Sequence, residues 1–123
     1  MTDAQAQVRA AFEAYERALV DGDVDAMNNW FLDDQRTTRF GVADEQWGAE
    51  QVRRWRAGAA KVPPGRTLKQ TRVDAFGPST VVVTTLFSYP GSSTLGRQSQ
   101  TWLRCEEGWR IINAHVSERT VAA

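Results

Sequence analysis

The stretch 67-TLKQTRVDAFGPSTVVVTTLFSYPGSSTLGRQSQTWLRCEEGWRIINAHVSERT-120 decides the architecture of this chain. Apolar and polar residues alternate along it, and "GPS" (77–79), "GSS" (91–93) and "EEG" (106–108) interrupt the alternation at short intervals. Alternation at period two is the signature of strands with one buried face, and Gly, Pro and Ser clusters mark the reversals between them. The second half is therefore read as four strands joined by hairpins. Ahead of it the period changes. Val8, Phe12, Tyr15 and Leu19 recur at helical spacing with charge on the opposite side. "DGD" (21–23) breaks that helix, and Asp23 is placed to cap a second, short one carrying Val24, Met27, Trp30 and Phe31. A third helix is expected from Ala49 to Ala60 with Val52 and Trp55 inward, ended by the prolines of "KVPPG" (61–65). Helices followed by a run of hairpins describe an α+β domain: three N-terminal helices packed on one face of a curved antiparallel sheet, as a single domain over 1–123.

Between the second and third helices lies 36-RTTRFG-41, read as an extended strand, followed by "VADEQWG" (42–48), read as a loop. Alternation sends Arg36, Thr38 and Phe40 to one face and Thr37, Arg39 and Gly41 to the other. Arg36 is assigned to the surface and Arg39 to the interior, where a guanidinium is costly unless something anionic meets it. No acidic partner for Arg39 is evident on the elements expected to face it.

Composition excludes several classes of function. Fifteen basic and fifteen acidic residues in 123 leave no basic surplus for nucleic acid. No apolar run approaches the ~20 residues of a membrane-spanning helix. The N-terminus lacks the pattern of a secretion signal, so the expected location is the cytoplasm. Cys105 is alone, so no internal disulfide forms. With one histidine and no ligand-spaced carboxylates, no metal or other cofactor is expected.

Taking Glu107-Gly108 as a two-residue turn registers the last hairpin, pairing Leu103 with Ile112, Thr101 with Ala114 and Ser99 with Val116. The inner face then carries Ser99, Thr101, Leu103, Ile112, Ala114 and Val116. The outer face carries Gln98, Gln100, Trp102, Asn113, His115 and Ser117, and suits a partner subunit. His115 is read as structural, with general-base catalysis the alternative. Tyr15, in the middle of the first helix's apolar stripe, is either a core phenol bonded to a backbone carbonyl or a donor inside the cavity.

A sheet curled around a helix leaves a conical space, and this order of elements resembles the cone fold of nuclear transport factor, SnoaL-like cyclases and ketosteroid isomerases. More specifically, "FEAYERALVDGDVDAMNNWFLDDQRTTRFGVADEQWGAEQVRRWRAG" (12–58) with "GRQSQTWLRCEEGWRIINAHVS" (96–117) resembles the AtzH-like family, small proteins found with amidases of cyanuric acid, urea-derivative and oxalurate breakdown. The resemblance implies a homodimer paired through the sheet face, an amidase as a possible partner, and decarboxylating amidohydrolysis of a small N-carboxylated urea such as 1,3-dicarboxyurea. It places the family's proposed catalytic pair on Tyr15 and Arg39. Trp30, Trp55, Arg56, Ser99, Thr101 and Val116 are the expected substrate contacts. Ketosteroid isomerases resemble residues 14–58 in outline, with a helix-1 tyrosine matching Tyr15, but Arg39 stands where they carry an aspartate base. Arginine cannot abstract a proton at neutral pH, so the change inverts the cavity's charge and points to a carboxylate-bearing substrate. Trp55 and Arg56 resemble positions near that cavity's mouth. A non-catalytic ligand-binding or accessory protein, and a cyclase or isomerase with a bulkier apolar substrate, are the alternatives.

Overall fold

A computed structural model describes residues 1–121. Helix α1 (Asp3–Asp21) starts on a capping box in which Thr2 accepts from the Gln5 backbone N–H while the Gln5 side chain accepts from Thr2. It ends on Gly22, whose left-handed backbone (φ 71°) closes the last turn at no side-chain cost. Asp23 accepts from the Ala26 N–H and starts α2 (Val24–Asn29). Helix α3 (Ala49–Gly58) stops two residues before the expected Ala60. The strands are β1 (Thr38–Phe40), β2 (Glu45–Trp47), β3 (Thr67–Ala75), β4 (Thr80–Ser88), β5 (Thr94–Cys105) and β6 (Gly108–Thr120), in the order β2-β1-β6-β5-β4-β3.

The α+β architecture and the three helices are as the periodicities require, with three differences in the sheet. "VADEQWG" is not all loop: Glu45–Trp47 returns along β1 as a hairpin, with Arg39 opposite Gln46. The sheet is also not wholly antiparallel, because β1 runs parallel to β6, Arg39 facing Ala114. That direction is set upstream. Phe31 already bridges Ile111 in parallel, and the Ile111 N–H donates to Trp30 O at 2.7 Å. The chain leaving α2 therefore lies along β6 before β1 begins. Residues 32–37 loop out between these two contacts, tied by Arg36 to Asp34; side-chain and backbone hydrogen bonds from Arg36 hold the Asp34 carboxyl down at about 2.

The last hairpin turns one residue earlier than the expected register. Cys105 pairs with Gly108, so Glu106-Glu107 is the turn. Trp102 then faces Ile111 and Thr101 faces Asn113, leaving Ile112 as an extra residue on β6. This bulge has a packing reason. Ile111 and Ala114 are both buried, yet they are three residues apart, which strict alternation cannot place on one face. The consequence falls on β5: Gln98, Gln100 and Trp102 point inward, and Ser99 and Thr101 lie on the outer face.

The core fills the space between α1 and the concave face. Val8, Phe12, Val81, Val83, Trp102 and Ile111 are sealed from solvent. The Phe87 ring lies on Gly96, its partner across β4 and β5, so closely that a Cβ at 96 would collide with the ring. Gly96→Ala is therefore expected to lower stability by about 1–3 kcal/mol, the usual cost of overpacking. Urea unfolding measures it, and an unchanged midpoint would mean that the ring is free to swing aside.

Candidate functional site

Helices α1 and α3, the chain after α3 and the inner faces of β1, β4, β5 and β6 enclose a cavity of about 570 Å³. That is ample for a small metabolite and within the range of small-molecule sites. Exposed Lys61 and Glu118 stand at its open side.

Arg39 reaches the wall because β1 alternates as expected: Thr37 and Arg39 are buried, while Arg36 lies in solvent beside Asp34. The expectation that Arg39 lacks an acidic partner is overturned. Its Nη1 donates to Asp44 Oδ1 at 2.8 Å and to Gln46 Oε1 at 2.9 Å, and Gln46 Nε2 donates to the same Asp44 oxygen. Both partners come from the segment read as featureless loop. A Cβ on Gly41 would lie inside contact distance of the Asp44 carboxylate and of Arg39 Nη1, so the glycine of "RTTRFG" permits this pairing. The guanidinium lies over Trp55, Cζ 3.7 Å from the ring centroid, which fixes its plane. Burial pulls the Arg39 pKa below its ordinary value; Tyr15 and Asp44 oppose this and the charge of Arg56 adds to it.

Arg56 is the deeper cation. It occupies the inner stripe of α3 with Ala49 and Val52, and is 4% exposed. It does not sit at the mouth, as the likeness to ketosteroid isomerases implies. Its Nη2 donates to Tyr15 Oη at 3.1 Å and its Nη1 to Met27 Sδ at 3.2 Å, while Nε is buried without a partner. Among the described residues no carboxylate forms an ion pair with it. Three aromatic rings surround it instead, Trp55 at 5.1 Å, Phe31 at 5.8 Å and Tyr15 at 6.0 Å. Asp44 offsets Arg39, and the charge on Arg56 remains. Because Tyr15 accepts from a guanidinium, its own O–H stays available to donate into the cavity.

Of the other expected contacts, Trp55 and Val116 line the cavity. Trp30 does not: it caps the C-terminus of α2 and packs edge-on against Trp102, centroids 5.7 Å apart. Ser99 and Thr101 face away, for the reason of register given above. His115 is exposed on the outer face against Phe40, far from any general-base position in the cavity. The lining residues that strict alternation misses are Gln98 and Gln100. Trp102 was the signal for them. The largest apolar side chain of β5 belongs inside, and it carries its i−2 and i−4 neighbours with it.

A second polar cluster lines the same cavity. Arg66 Nε donates to Glu16 Oε1 at 2.8 Å, its Nη1 to Tyr89 Oη at 2.9 Å, and Gln98 Nε2 to Glu16 Oε2 at 3.1 Å. Burial alone would lower the Arg66 pKa, but the Glu16 carboxylate and the Tyr89 hydroxyl together outweigh it and raise it.

Comparison with known proteins places this geometry. A cystatin-like fold protein of Burkholderia xenovorans LB400 is 44% identical with a TM-score of 0.95, covering 99% of this chain and 96% of that one. A protein from the DUF3225 family of Pectobacterium atrosepticum SCRI1043 is 38% identical with a TM-score of 0.93, covering 98% and 94%. A nuclear transport factor 2-like superfamily protein of Salmonella enterica serovar Typhimurium LT2 shares the fold at 20% identity, TM-score 0.72, covering 98% and 94%. No curated protein sequence matches significantly. No helix is long and apolar enough to cross a membrane. The AtzH-like family profile matches residues 1–121, and the chain belongs to that family.

Proposed function

We propose that the cavity binds a small carboxylate-bearing urea and catalyses its decarboxylation, the carbon dioxide-releasing step of a decarboxylating amidohydrolase, with Arg39 and Tyr15 in the leading roles. One observation carries the reading: Arg56 is buried, unpaired with any carboxylate among the described residues, and bonded to the hydroxyl of Tyr15. A buried cation without a counter-charge is costly, and a bound anion would supply what is missing.

In an N-carboxylated urea, the bond between nitrogen and the carboxyl carbon breaks and its electron pair returns to nitrogen. The carboxylate leaves as neutral carbon dioxide, and the nitrogen takes up one proton. Negative charge thus disappears from the leaving group and develops on the urea nitrogen and oxygen. A cation gripping the leaving carboxylate would stabilise the ground state more than the transition state. Arg39 is accordingly assigned to the retained carboxylate, through the fork that Asp44 and Gln46 leave open. Tyr15, polarised by Arg56, is assigned as donor to the developing charge.

Tyr15→Phe is expected to lower the rate of carbon dioxide release from an N-carboxylated urea, above its uncatalysed decay, by about 10²–10³-fold, the usual cost of one such donor. Arg39→Lys keeps the charge but loses the planar fork, and should act mainly by raising KM. Folded variants that turn over like the wild type would overturn the assignment. Among the described residues, the cavity lining holds no Ser or Cys nucleophile. That feature favours a second reading, a carboxylate-binding accessory protein, for which the wild type binds small carboxylates without turnover and stimulates an amidase.

A further inference from the structure

We infer that Gln100 is a substrate-binding residue that donates a hydrogen bond to a carbonyl oxygen at the centre of the bound molecule. The inference rests on the carboxylate-binding cavity proposed above and adds what the cavity selects for.

Gln100 is 2% exposed on the inner face of β5, and it lines the cavity. Its Oε1 accepts from Trp102 Nε1 at 3.0 Å. An indole N–H can only donate, so this contact fixes which way round the amide lies. Trp102 is itself immobilised, fully buried in the core and packed edge-on against Trp30. The Gln100 Nε2 group is therefore held away from the indole, and among the described residues it has no hydrogen-bond partner. Nε2 is not sealed in the core as Arg56 Nε is, so its two hydrogens open onto the cavity and are free to meet a ligand. Gln98, two residues earlier, illustrates the paired condition: its amide is consumed by Glu16 and Arg66.

The sheet places Gln100 in register with the arginine. Arg39 lies opposite Ala114 on β6, and Ala114 lies opposite Gln100 on β5. The three share one row of the inner face, with only the Ala114 methyl between the two long side chains. Two steps between strands set their Cα atoms about 10 Å apart, and both side chains rise from the same face, so one small molecule can accept from Arg39 through a carboxylate oxygen and from Gln100 through a carbonyl oxygen. Nε2 offers hydrogens and no lone pair, so it donates to a carbonyl oxygen there and gains nothing from a methylene.

Glutarate and freshly dissolved 3-oxoglutarate test this, since they differ only in the central carbonyl. Binding to the full chain is read by thermal shift and calorimetry. The wild type is expected to bind 3-oxoglutarate at least tenfold more tightly than glutarate. Gln100→Met should abolish that preference while leaving the glutarate Kd within about twofold. Gln100→Asn, which keeps an amide but withdraws it by one methylene, should do the same and serves if the methionine variant does not fold. Equal wild-type affinity for the two diacids, or a preference that survives in the folded variants, would refute the role of Gln100 and leave the carboxylate cavity standing. Failure of both diacids to bind the wild type would refute the cavity reading and this inference with it.

Discussion

Replacing Arg56 by methionine is expected to raise the melting temperature of the ligand-free protein and to abolish its response to small carboxylates. The side chain is 4% exposed, with one guanidinium nitrogen unpartnered and only a thioether and a phenol accepting from the others. Dehydrating a guanidinium costs several kcal/mol, and this one recovers part through aromatic faces but nothing from a carboxylate. Methionine of similar length would pack beside Met27 and Phe31 without that cost. Exchanging buried charge for well-packed apolar side chains has typically gained about 1–4 kcal/mol, and for a domain of this size each kcal/mol is worth roughly 4 °C. Melting curves with and without malonate measure both halves. A binding ligand raises the wild-type midpoint by mass action, and the variant should start higher and not move. A variant that melts far below the wild type would show that Arg56 holds the fold together, and the case for a site built around an uncompensated cation would fail.

Glu16→Leu should have the opposite sign and the larger cost, about 3–5 kcal/mol, because it breaks a buried ion pair from one side. Arg66 and Glu16 side chains are only 4% and 11% exposed, and the carboxylate receives Arg66 at 2.8 Å and Gln98 at 3.1 Å. Leucine would leave the Arg66 guanidinium buried on the Phe87 face, 4.2 Å from its centroid, with Tyr89 as its main remaining acceptor. Against a typical total of 5–15 kcal/mol, a loss of that size brings the domain near its threshold. The double variant Glu16→Leu/Arg66→Met removes both charges and should recover most of the loss. Urea unfolding of the two variants decides it, and a double variant no more stable than the single would mean that packing, rather than the stranded charge, sets the cost. The two arginines obey one rule: Arg66 is safe to bury because Glu16 is there, and among the described residues Arg56 has no such partner.

The β1–β2 hairpin shows how the legible and illegible parts of the site divide. Strand alternation within "RTTRFG" was enough to send Arg39 in and Arg36 out. What Arg39 meets was not legible, because Asp44 and Gln46 reach it only through a short return strand, and three residues carry too little periodicity to declare one. Helix α3 gives the same lesson. Ala49, Val52 and Arg56 fall on one stripe, yet a charged residue on an apolar stripe is ordinarily displaced toward solvent. Only packing against Met27, Phe31 and Tyr15 holds it in.

The sequence by itself determined the order of helices and hairpins, the break at Gly22, the apolar stripe that buries Tyr15 and the inward turn of Arg39. Each of these depends on neighbours within a few residues, where backbone periodicity and capping act. Tertiary structure alone decided that β1 runs parallel to β6, that Ile112 bulges, and that Gln100 rather than Ser99 or Thr101 faces the cavity. The reason is that strand faces alternate with period two: the one extra residue of the Ile112 bulge exchanges which side chains of β5 share a face with Ala114 and Val116. The packing of Trp102 and Ile111 into one core, not the composition of the turn, fixes which exchange occurs.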